Sequence, residues 1–191
     1  SDWWSEGNEA KIKDGRLFVD ADTASFRVST VWLDRQLSGN LRIEFDVHVV
    51  SSSTTSNNIN CFLLYSDPSG KSLRKTKNER ENGDYGHYHK LNGYIFTYVA
   101  GDNLSNARFR FRDNPGFNLL EENFAYECKG GKTYHVTIIK TGNRFQYWVD
   151  GRKYLDKVDY EYNSLHKKGL FGFRTYHTAL WWDNLVITQL D

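Results

Sequence analysis

The sequence lacks methionine altogether and contains only two prolines and two cysteines in 191 residues. It also has no apolar run of about 18 residues, the length that a membrane-spanning helix needs. Its charges nearly cancel, since 25 lysines and arginines stand against 24 aspartates and glutamates. A general nucleic-acid or membrane-surface binder would show a broad basic excess. We therefore expect no membrane span and no nucleic-acid partner, and any cationic site must be local.

The missing methionine and the scarce cysteines bear on the compartment. The chain begins at Ser1, which predicts a mature form already relieved of its signal peptide, and hence a secreted, periplasmic or cell-surface location. Cys61 and Cys128 could pair in an oxidising compartment or remain two separate buried thiols. No CxxC or HExxH spacing indicates a zinc site.

Aromatic residues are abundant, at 16% of the chain, and apolar and polar residues alternate with a period of two. The segment 41–50 (LRIEFDVHVV) shows this alternation throughout, as expected of a half-buried antiparallel strand. Turns are predicted at 141–143 and 150–151. Further strands are predicted at 16–20, 30–33, 59–65, 94–99, 107–112, 134–140, 144–149, 169–175 and 181–188. About ten strands predict an all-β sandwich of two antiparallel sheets, in one domain spanning 1–191.

Two polar segments interrupt this pattern. The first, 51–58, reads SSSTTSNN, and the second, 66–87, carries several charges of both signs. A loop as long as the second is usually a lid, a binding loop or a disordered segment in a compact domain.

A cluster of arginines is the clearest indication of a ligand. In a strand, Arg108, Arg110 and Arg112 would project from one face, while the intervening phenylalanines enter the core. Neighbouring guanidinium groups repel each other unless anions or acidic side chains separate them, and they suit carboxylate or sulfate. The pattern therefore predicts an anionic ligand, and acidic polysaccharide is the first candidate. The alternative is a solvated face with acidic partners on a neighbouring strand.

The strand before the arginines is predicted to present Asn92 and Tyr94 on the same surface, with Tyr88, His89 and Lys90 at its entry. Tyrosine and histidine beside arginine are the groups that β-elimination of a uronate requires. A cation neutralises the carboxylate, a base removes the C5 proton, and an acid assists departure of the glycosidic oxygen. The segment therefore also predicts a candidate catalytic site.

The C-terminal part of the chain offers a second group of polar residues. In KKGLFGFRTYH, alternation turns Arg174 and Tyr176 towards solvent or the cleft, and His177 lies at the strand end. If this strand neighbours the arginine strand, the site gains another cation and another acid or base. Asn60 is assigned to the same substrate-binding surface.

Several motifs together resemble a known group of proteins. They are YHKLNGY, ARFRFRDN, TYHVTIIKTGNRFQYWVDGRKYLD and GLFGFRTYHTALWWDNLVI. They resemble an uncharacterised family of secreted concanavalin A-like domains from carbohydrate-degrading systems, over nearly the whole chain. The resemblance implies a jelly-roll β-sandwich whose concave sheet forms a glycan cleft, as in jelly-roll polysaccharide lyases, glucanases and lectins.

The resemblance also implies residue roles. Jelly-roll lyases commonly use histidine and tyrosine as base and acid, which implies His89 as the base and Tyr94 as the acid, with Tyr88 and His177 as further candidates. Many concanavalin A-like domains hold a structural Ca²⁺ through an acidic residue on the last strand, and Asp183 matches that position. Asp183 equally suits a turn or an edge strand, and no other cofactor is expected.

Three functions remain open at this point. The favoured one is a lyase that cleaves an acidic polysaccharide by β-elimination; the alternatives are a glycoside hydrolase and a non-catalytic carbohydrate-binding module. Hydrolysis usually needs two carboxyl groups across the scissile bond. Glu44 and Asp46 resemble the Glu-x-Asp-x-Glu strand of jelly-roll glucanases, but His48 occupies the third position. A solvated outer face is the better interpretation of these acids.

Overall fold

The computed structural model describes residues 2–100, 108–161 and 166–191. Within them the chain forms fourteen strands, a short 3₁₀ helix (Lys77–Arg80) and one short α-helix, α1 (Tyr85–Tyr88). None of the helices in these ranges has the length and apolar character needed to cross a membrane. The strands are β1 (Trp3–Gly7), β2 (Lys11–Lys13), β3 (Arg16–Asp20), β4 (Val28–Ser38), β5 (Asn40–Ser51), β6 (Ile59–Ser66), β7 (Asn92–Tyr98), β8 (Phe109–Asn114), β9 (Asn118–Asn123), β10 (Thr133–Thr141), β11 (Arg144–Val149), β12 (Arg152–Val158), β13 (Lys168–Tyr176) and β14 (Ala179–Leu190).

The strands pair into two seven-stranded sheets. Sheet A has the order β1-β4-β13-β6-β7-β8-β9, and sheet B has the order β12-β11-β10-β5-β14-β3-β2. Every pair of neighbouring strands is antiparallel. The predicted all-β jelly-roll sandwich is confirmed, as are the turns at 141–143 and 150–151. Strands β1, β2, β9 and β12 were not predicted, and β2 and β9 bury too little apolar surface to show a clear alternation.

Aromatic rings from both sheets fill the space between them. Phe173 stacks on Trp182 at 4.8 Å between ring centres, and Phe45 meets Phe173 edge to face at 4.9 Å. Each fully buried large side chain of this kind contributes about 1.5–3 kcal/mol through burial. Cys61 and Cys128 lie in the same core as two separate thiols, and burial raises the pKa of both.

Sheet A carries a second apolar cluster on its outer face. The segment 67–91, which includes most of the long loop predicted at 66–87, folds across this face and packs Tyr88 and Leu91 against Trp32 and Phe62. The ring centres of Trp32 and Phe62 lie 5.6 Å apart. This segment therefore closes part of the outer face of sheet A to solvent, and the other described residues leave the rest of that face available to a ligand.

A buried carboxylate fastens this segment to the sheet. Arg80 Nε donates to Glu6 Oε1 at 2.8 Å, while Trp32 Nε1 and the Tyr88 hydroxyl donate to Glu6 Oε2 at 3.0 and 2.7 Å. Arg80 also donates to the Leu73 carbonyl oxygen at 2.6 Å. Burial raises the pKa of Glu6, and the charge of Arg80 with the two neutral hydrogen bonds opposes that rise. The contact joins residues 74 positions apart and fixes the segment against the sheet.

Candidate functional site

One row of polar side chains crosses all seven strands on the outer face of sheet A. In sheet order its members are Glu6, Thr30, Arg174, Asn60, Thr97, Arg110 and Glu122, each a register neighbour of the next. We call these seven residues the polar row. The adjacent row on the same face contains Trp32, Phe62 and Ile95 and lies under the segment 67–91. The polar row therefore runs along the border of the covered area.

A cavity of about 620 Å³ opens over the middle of this row. Its size is that of a typical small-ligand site. Arg174 and Asn60 belong to the polar row, and the remaining residues come from loops, strand ends and the start of α1 around it. The lining residues are Phe26, Arg27, Val28, Asn58, Asn60, Asn82, Gly83, Asp84, Tyr85, Arg174 and Tyr176.

Arg174 is a buried cation in this cavity. It is 2% exposed, and its Nη1 donates to Thr30 Oγ1 at 2.8 Å and to the Gly83 carbonyl oxygen at 2.9 Å. The guanidinium lies 4.5 Å from the centre of the Tyr85 ring and 4.9 Å from that of Tyr88. No carboxylate of the described residues lies within ion-pair distance. Burial lowers its pKa, yet a guanidinium stays charged at neutral pH. A buried cation without a counter-charge favours an anionic ligand.

Tyr85 separates this cavity from the arginines of β8. It begins α1, and Asp84 caps that helix by accepting a backbone N–H at 2.8 Å. Burial raises the pKa of Tyr85, while the charges of Arg174 and Arg112 and a hydrogen bond with Thr97 oppose the rise. The phenol is therefore neutral at neutral pH and can donate a hydrogen bond to a ligand.

A stack of rings lies on the other side of Tyr85. His89 stacks on Phe117 with ring centres 3.9 Å apart, and the Arg112 guanidinium lies 4.2 Å from the centre of Phe117. Tyr85 meets His89 edge to face at 4.5 Å. Burial, and then the charges of Arg174 and Arg112, lower the pKa of His89, which is therefore neutral at neutral pH. Its buried Nε2 has no hydrogen-bond partner among the described residues.

Several predicted residues lie together. Arg174, Asn60 and the half-exposed Tyr176 line the cavity. Arg110 and Arg112 lie on the same sheet face, because the phenylalanines between and before them enter the core as predicted. The sequence left open whether β13 and β8 are neighbours, and they are not, since β6 and β7 lie between them.

The predicted position of Tyr94 is wrong. Register neighbours in β7 and β8 place Ile95 beside Arg112 and Thr97 beside Arg110, so Tyr94 projects to the opposite face. There it is fully buried between the sheets, and its hydroxyl donates to Asp159 Oδ2 at 3.0 Å. A phenol in the core cannot contact a ligand on the outer face.

Other candidates also lie away from the cavity. Tyr88 is fully buried, with its hydroxyl on Glu6. Asn92 donates to Ser66 Oγ at 3.3 Å, and Lys90 is exposed before β7. None of these three residues lines the cavity, and their part in ligand binding stays a prediction.

Two further predicted site residues, Arg108 and His177, lie outside the cavity lining. Arg108 is 6% exposed and is not a cavity residue. His177 follows β13 with a φ of 47°, and its ring meets Tyr176 edge to face at 4.2 Å. His177 is thus a neighbour of the cavity wall and does not line the cavity.

The residues around Asp183 do not fit a calcium site. Asp183 lies on β14 in sheet B and forms an ion pair with Arg16 at 3.7 Å. A guanidinium beside the carboxylate repels a cation. Within residues 2–100, 108–161 and 166–191, no three acidic, histidine or cysteine side chains form a group that could hold a metal ion.

Glu44 and Asp46 lie on the outer face of sheet B, as the solvated-face interpretation predicted. The Arg42 guanidinium donates to Glu44 at 2.7 Å, and His135 Nδ1 lies 2.8 Å from Asp46. Sheet A, not sheet B, carries the cavity, so these acids cannot serve as a hydrolytic pair there.

Several residues that line the cavity were not predicted from the sequence. Arg27 and Asn58 come from loops, and Tyr85 belongs to a segment whose path depends on distant contacts. Asn58 alone had a local signal, since it precedes Asn60 by two residues and therefore shares its face of an extended chain.

The model of the family described as "Domain of unknown function (DUF6250)" matches residues 24–185. No curated protein sequence matches the chain significantly. The family match covers most of the strands of both sheets and all the residues that line the cavity.

Solved structures share the fold over almost the full chain. A Bacillus subtilis protein of unknown function with a galectin-like fold is 18% identical with a TM-score of 0.79, covering 98% of this chain and 89% of its own. The B. subtilis carbohydrate-binding module CBM66 is 16% identical with a TM-score of 0.67, covering 99% and 96%. The exoplasmic/lumenal domain of VIP36, bound to Ca²⁺ and Man3GlcNAc, is 9% identical with a TM-score of 0.69, covering 100% and 84%.

Proposed function

Because the chain belongs to the DUF6250 family, whose function is unknown, we propose a function from its cavity: the protein binds a glycan that carries a carboxylate or sulfate group. Arg174 carries this proposal. It is a buried guanidinium that lines an open cavity, and within the described chain it has no carboxylate partner. A guanidinium recognises carboxylate or sulfate oxygens through strong, directional hydrogen bonds.

The rest of the lining suits a sugar. Asn58 and Asn60 offer amide donors and acceptors, Tyr85 offers a phenol, and Tyr176 offers a half-exposed ring for the apolar face of a sugar. The same fold serves a carbohydrate-binding module and a domain that holds Man3GlcNAc. A polysaccharide ligand would also place the protein outside the cytoplasm, in a secreted, periplasmic or cell-surface location.

The test compares acidic polysaccharides with neutral forms of the same polymers, in which the carboxyl groups have been reduced. Glucuronan, alginate and polygalacturonate would be titrated into the protein by calorimetry, alongside the same polymers after reduction of their carboxyl groups. We expect binding of at least one acidic polymer and about a 100-fold loss on reduction, since the loss of a charged hydrogen-bond partner costs 2–5 kcal/mol. Equal affinity for both forms of every polymer that binds would refute the role of the anion.

β-Elimination is a second candidate function. The Tyr85 phenol lies among the charges of Arg174, Arg110 and Arg112, and the neutral His89 contacts its ring. This arrangement could neutralise a uronate carboxylate and supply an acid and a base. Hydrolysis has less support, because Asp84 is the only carboxylate among the described residues that line the cavity. Incubation of the protein with the same acidic polysaccharides tests for a lyase. New ultraviolet absorbance would indicate its unsaturated product, whereas binding without new absorbance supports a non-catalytic module.

Tyr94 provides a control for the location of the site. Tyr94→Phe should leave glycan affinity unchanged and lower the free energy of unfolding by about 1–2 kcal/mol, because buried Asp159 loses a hydrogen bond. Tyr85→Phe should show the reverse pattern, with weaker binding and little change in stability. Calorimetric titration and urea unfolding measure the two quantities. A folded Tyr94→Phe protein with impaired binding would contradict the assignment of the site to the outer face.

A further inference from the structure

Two cations lie beyond Tyr85 on the same sheet face. Arg110 and Arg112 are two residues apart on β8, and Phe109 and Phe111 on either side of Arg110 enter the core. Both guanidinium groups are therefore carried on the outer face, and both side chains are only partly exposed.

Neither cation has a counter-charge at contact distance. Within the described chain, Arg110 and Arg112 form no ion pair and no hydrogen bond through their side chains. Glu122 is the register neighbour of Arg110, but its carboxylate lies beyond ion-pair distance. Burial lowers the pKa of Arg112 and the positive charge of Arg110 lowers it further, while Tyr85 and the charge of Glu122 oppose this lowering. The two groups repel each other, and a bound anion would relieve that repulsion.

The strand register of the polar row gives the distance between Arg110 and Arg174. Arg174 and Arg110 belong to the same row, with Asn60 and Thr97 between them, so three interstrand steps separate their backbones. At about 4.8 Å a step, the separation is roughly 14 Å. Tyr85 lies between the two positions. The Arg174 guanidinium is 4.5 Å from the centre of its ring, and the ring of Phe117, which Arg112 contacts, is 5.4 Å from it.

We propose that Arg110 and Arg112 form a second anion-binding subsite, which accepts a carboxylate or sulfate on a sugar further along the chain whose first anionic group binds Arg174. This inference rests on the proposed function and narrows it. The ligand is then a polyanionic oligosaccharide with repeated charges that runs across the strands of sheet A. A glycan with a single charged terminal sugar would leave the second subsite empty.

The experiment compares ligands of different length on a matched pair of double variants. Arg110→Gln/Arg112→Gln removes the second subsite. Arg16→Gln/Arg152→Gln removes the same charge from sheet B, where each arginine lies over an aromatic ring. Each protein would be titrated with a uronate tetrasaccharide, a sulfated tetrasaccharide and the corresponding acidic monosaccharide, after circular dichroism has shown that it is folded.

We expect the subsite variant to bind the better tetrasaccharide at least about tenfold more weakly, to bind the monosaccharide as the unaltered protein does, and to show a weaker salt dependence. The control variant should match the unaltered protein with both ligands. The preferred tetrasaccharide identifies carboxylate or sulfate as the group bound. An unchanged tetrasaccharide affinity, or equal losses for tetrasaccharide and monosaccharide, would overturn the second subsite while the cavity of Arg174 still binds. Absence of binding to the unaltered protein would instead overturn the proposed function itself.

Discussion

Replacing Arg174 by methionine is expected to weaken binding of the acidic glycan about 100-fold or more while the protein stays folded. Removing one partner of a buried, hydrogen-bonded charge pair typically costs 2–5 kcal/mol of binding free energy. Methionine is close in length and flexible, so it can fill the space beside Tyr85 and Tyr88. Because the methionine variant removes an uncompensated buried charge, we expect no large loss of stability.

Arg174→Lys separates the charge from the geometry of the guanidinium. Lysine keeps a positive charge but lacks the planar fork that donates to Thr30 and to the Gly83 carbonyl while it lines the cavity. Its affinity should fall between those of the unaltered protein and the methionine variant in calorimetric titrations. Unchanged binding by the methionine variant would show that Arg174 does not hold the anion.

Replacing Glu6 by alanine should destabilise the protein by about 3–5 kcal/mol, the usual cost of leaving one member of a buried ion pair alone. The substitution leaves Arg80 as a buried charge and removes the acceptor of Trp32 Nε1 and of the Tyr88 hydroxyl. Urea unfolding followed by tryptophan fluorescence measures the loss.

A double variant separates the effect of the unpaired Arg80 charge from the effect of the lost hydrogen-bond acceptor. Glu6→Ala/Arg80→Met removes both ions, so it should be more stable than Glu6→Ala alone, although Trp32 and Tyr88 still lack their acceptor. A double variant that is less stable than the single one would show that the hydrogen bonds of Arg80 to Leu73 and Thr76 outweigh the cost of its unpaired charge. Glycan binding should weaken in Glu6→Ala as well, because the segment that carries Tyr85 is fastened to the sheet through this contact.

Local alternation was enough to predict the architecture and one face of the site. In 109–112, phenylalanine and arginine differ so strongly in hydrophobicity that only one assignment of faces is reasonable, and the structure confirms it. In 94–98 both faces are suited to burial, since Tyr94 and Phe96 alternate with Ile95 and Thr97. The alternation there does not indicate which face of β7 carries the side chains beside the arginines. The pairing with β8 places Ile95 and Thr97 beside them and Tyr94 on the opposite face.

The cavity walls depend on contacts that sequence patterns do not report. Tyr85 reaches the site because the segment 67–91 is folded over sheet A, and the Glu6 to Arg80 contact that holds it spans 74 residues. Arg174 was expected on the cleft face, but its burial beneath Tyr85 also depends on that segment. Ten of the fourteen described strands could therefore be predicted locally, whereas the electrostatics of the site arise from long-range packing.

A crystal structure of the protein with a uronate oligosaccharide is the most direct test of the proposed glycan-binding site. We predict the sugar on the outer face of sheet A, with a carboxylate in hydrogen-bond contact with Arg174 and a sugar ring against Tyr85 or Tyr176. A ligand bound instead on the outer face of sheet B, or on sheet A with Arg174 facing only neutral hydroxyl groups, would contradict the proposed site.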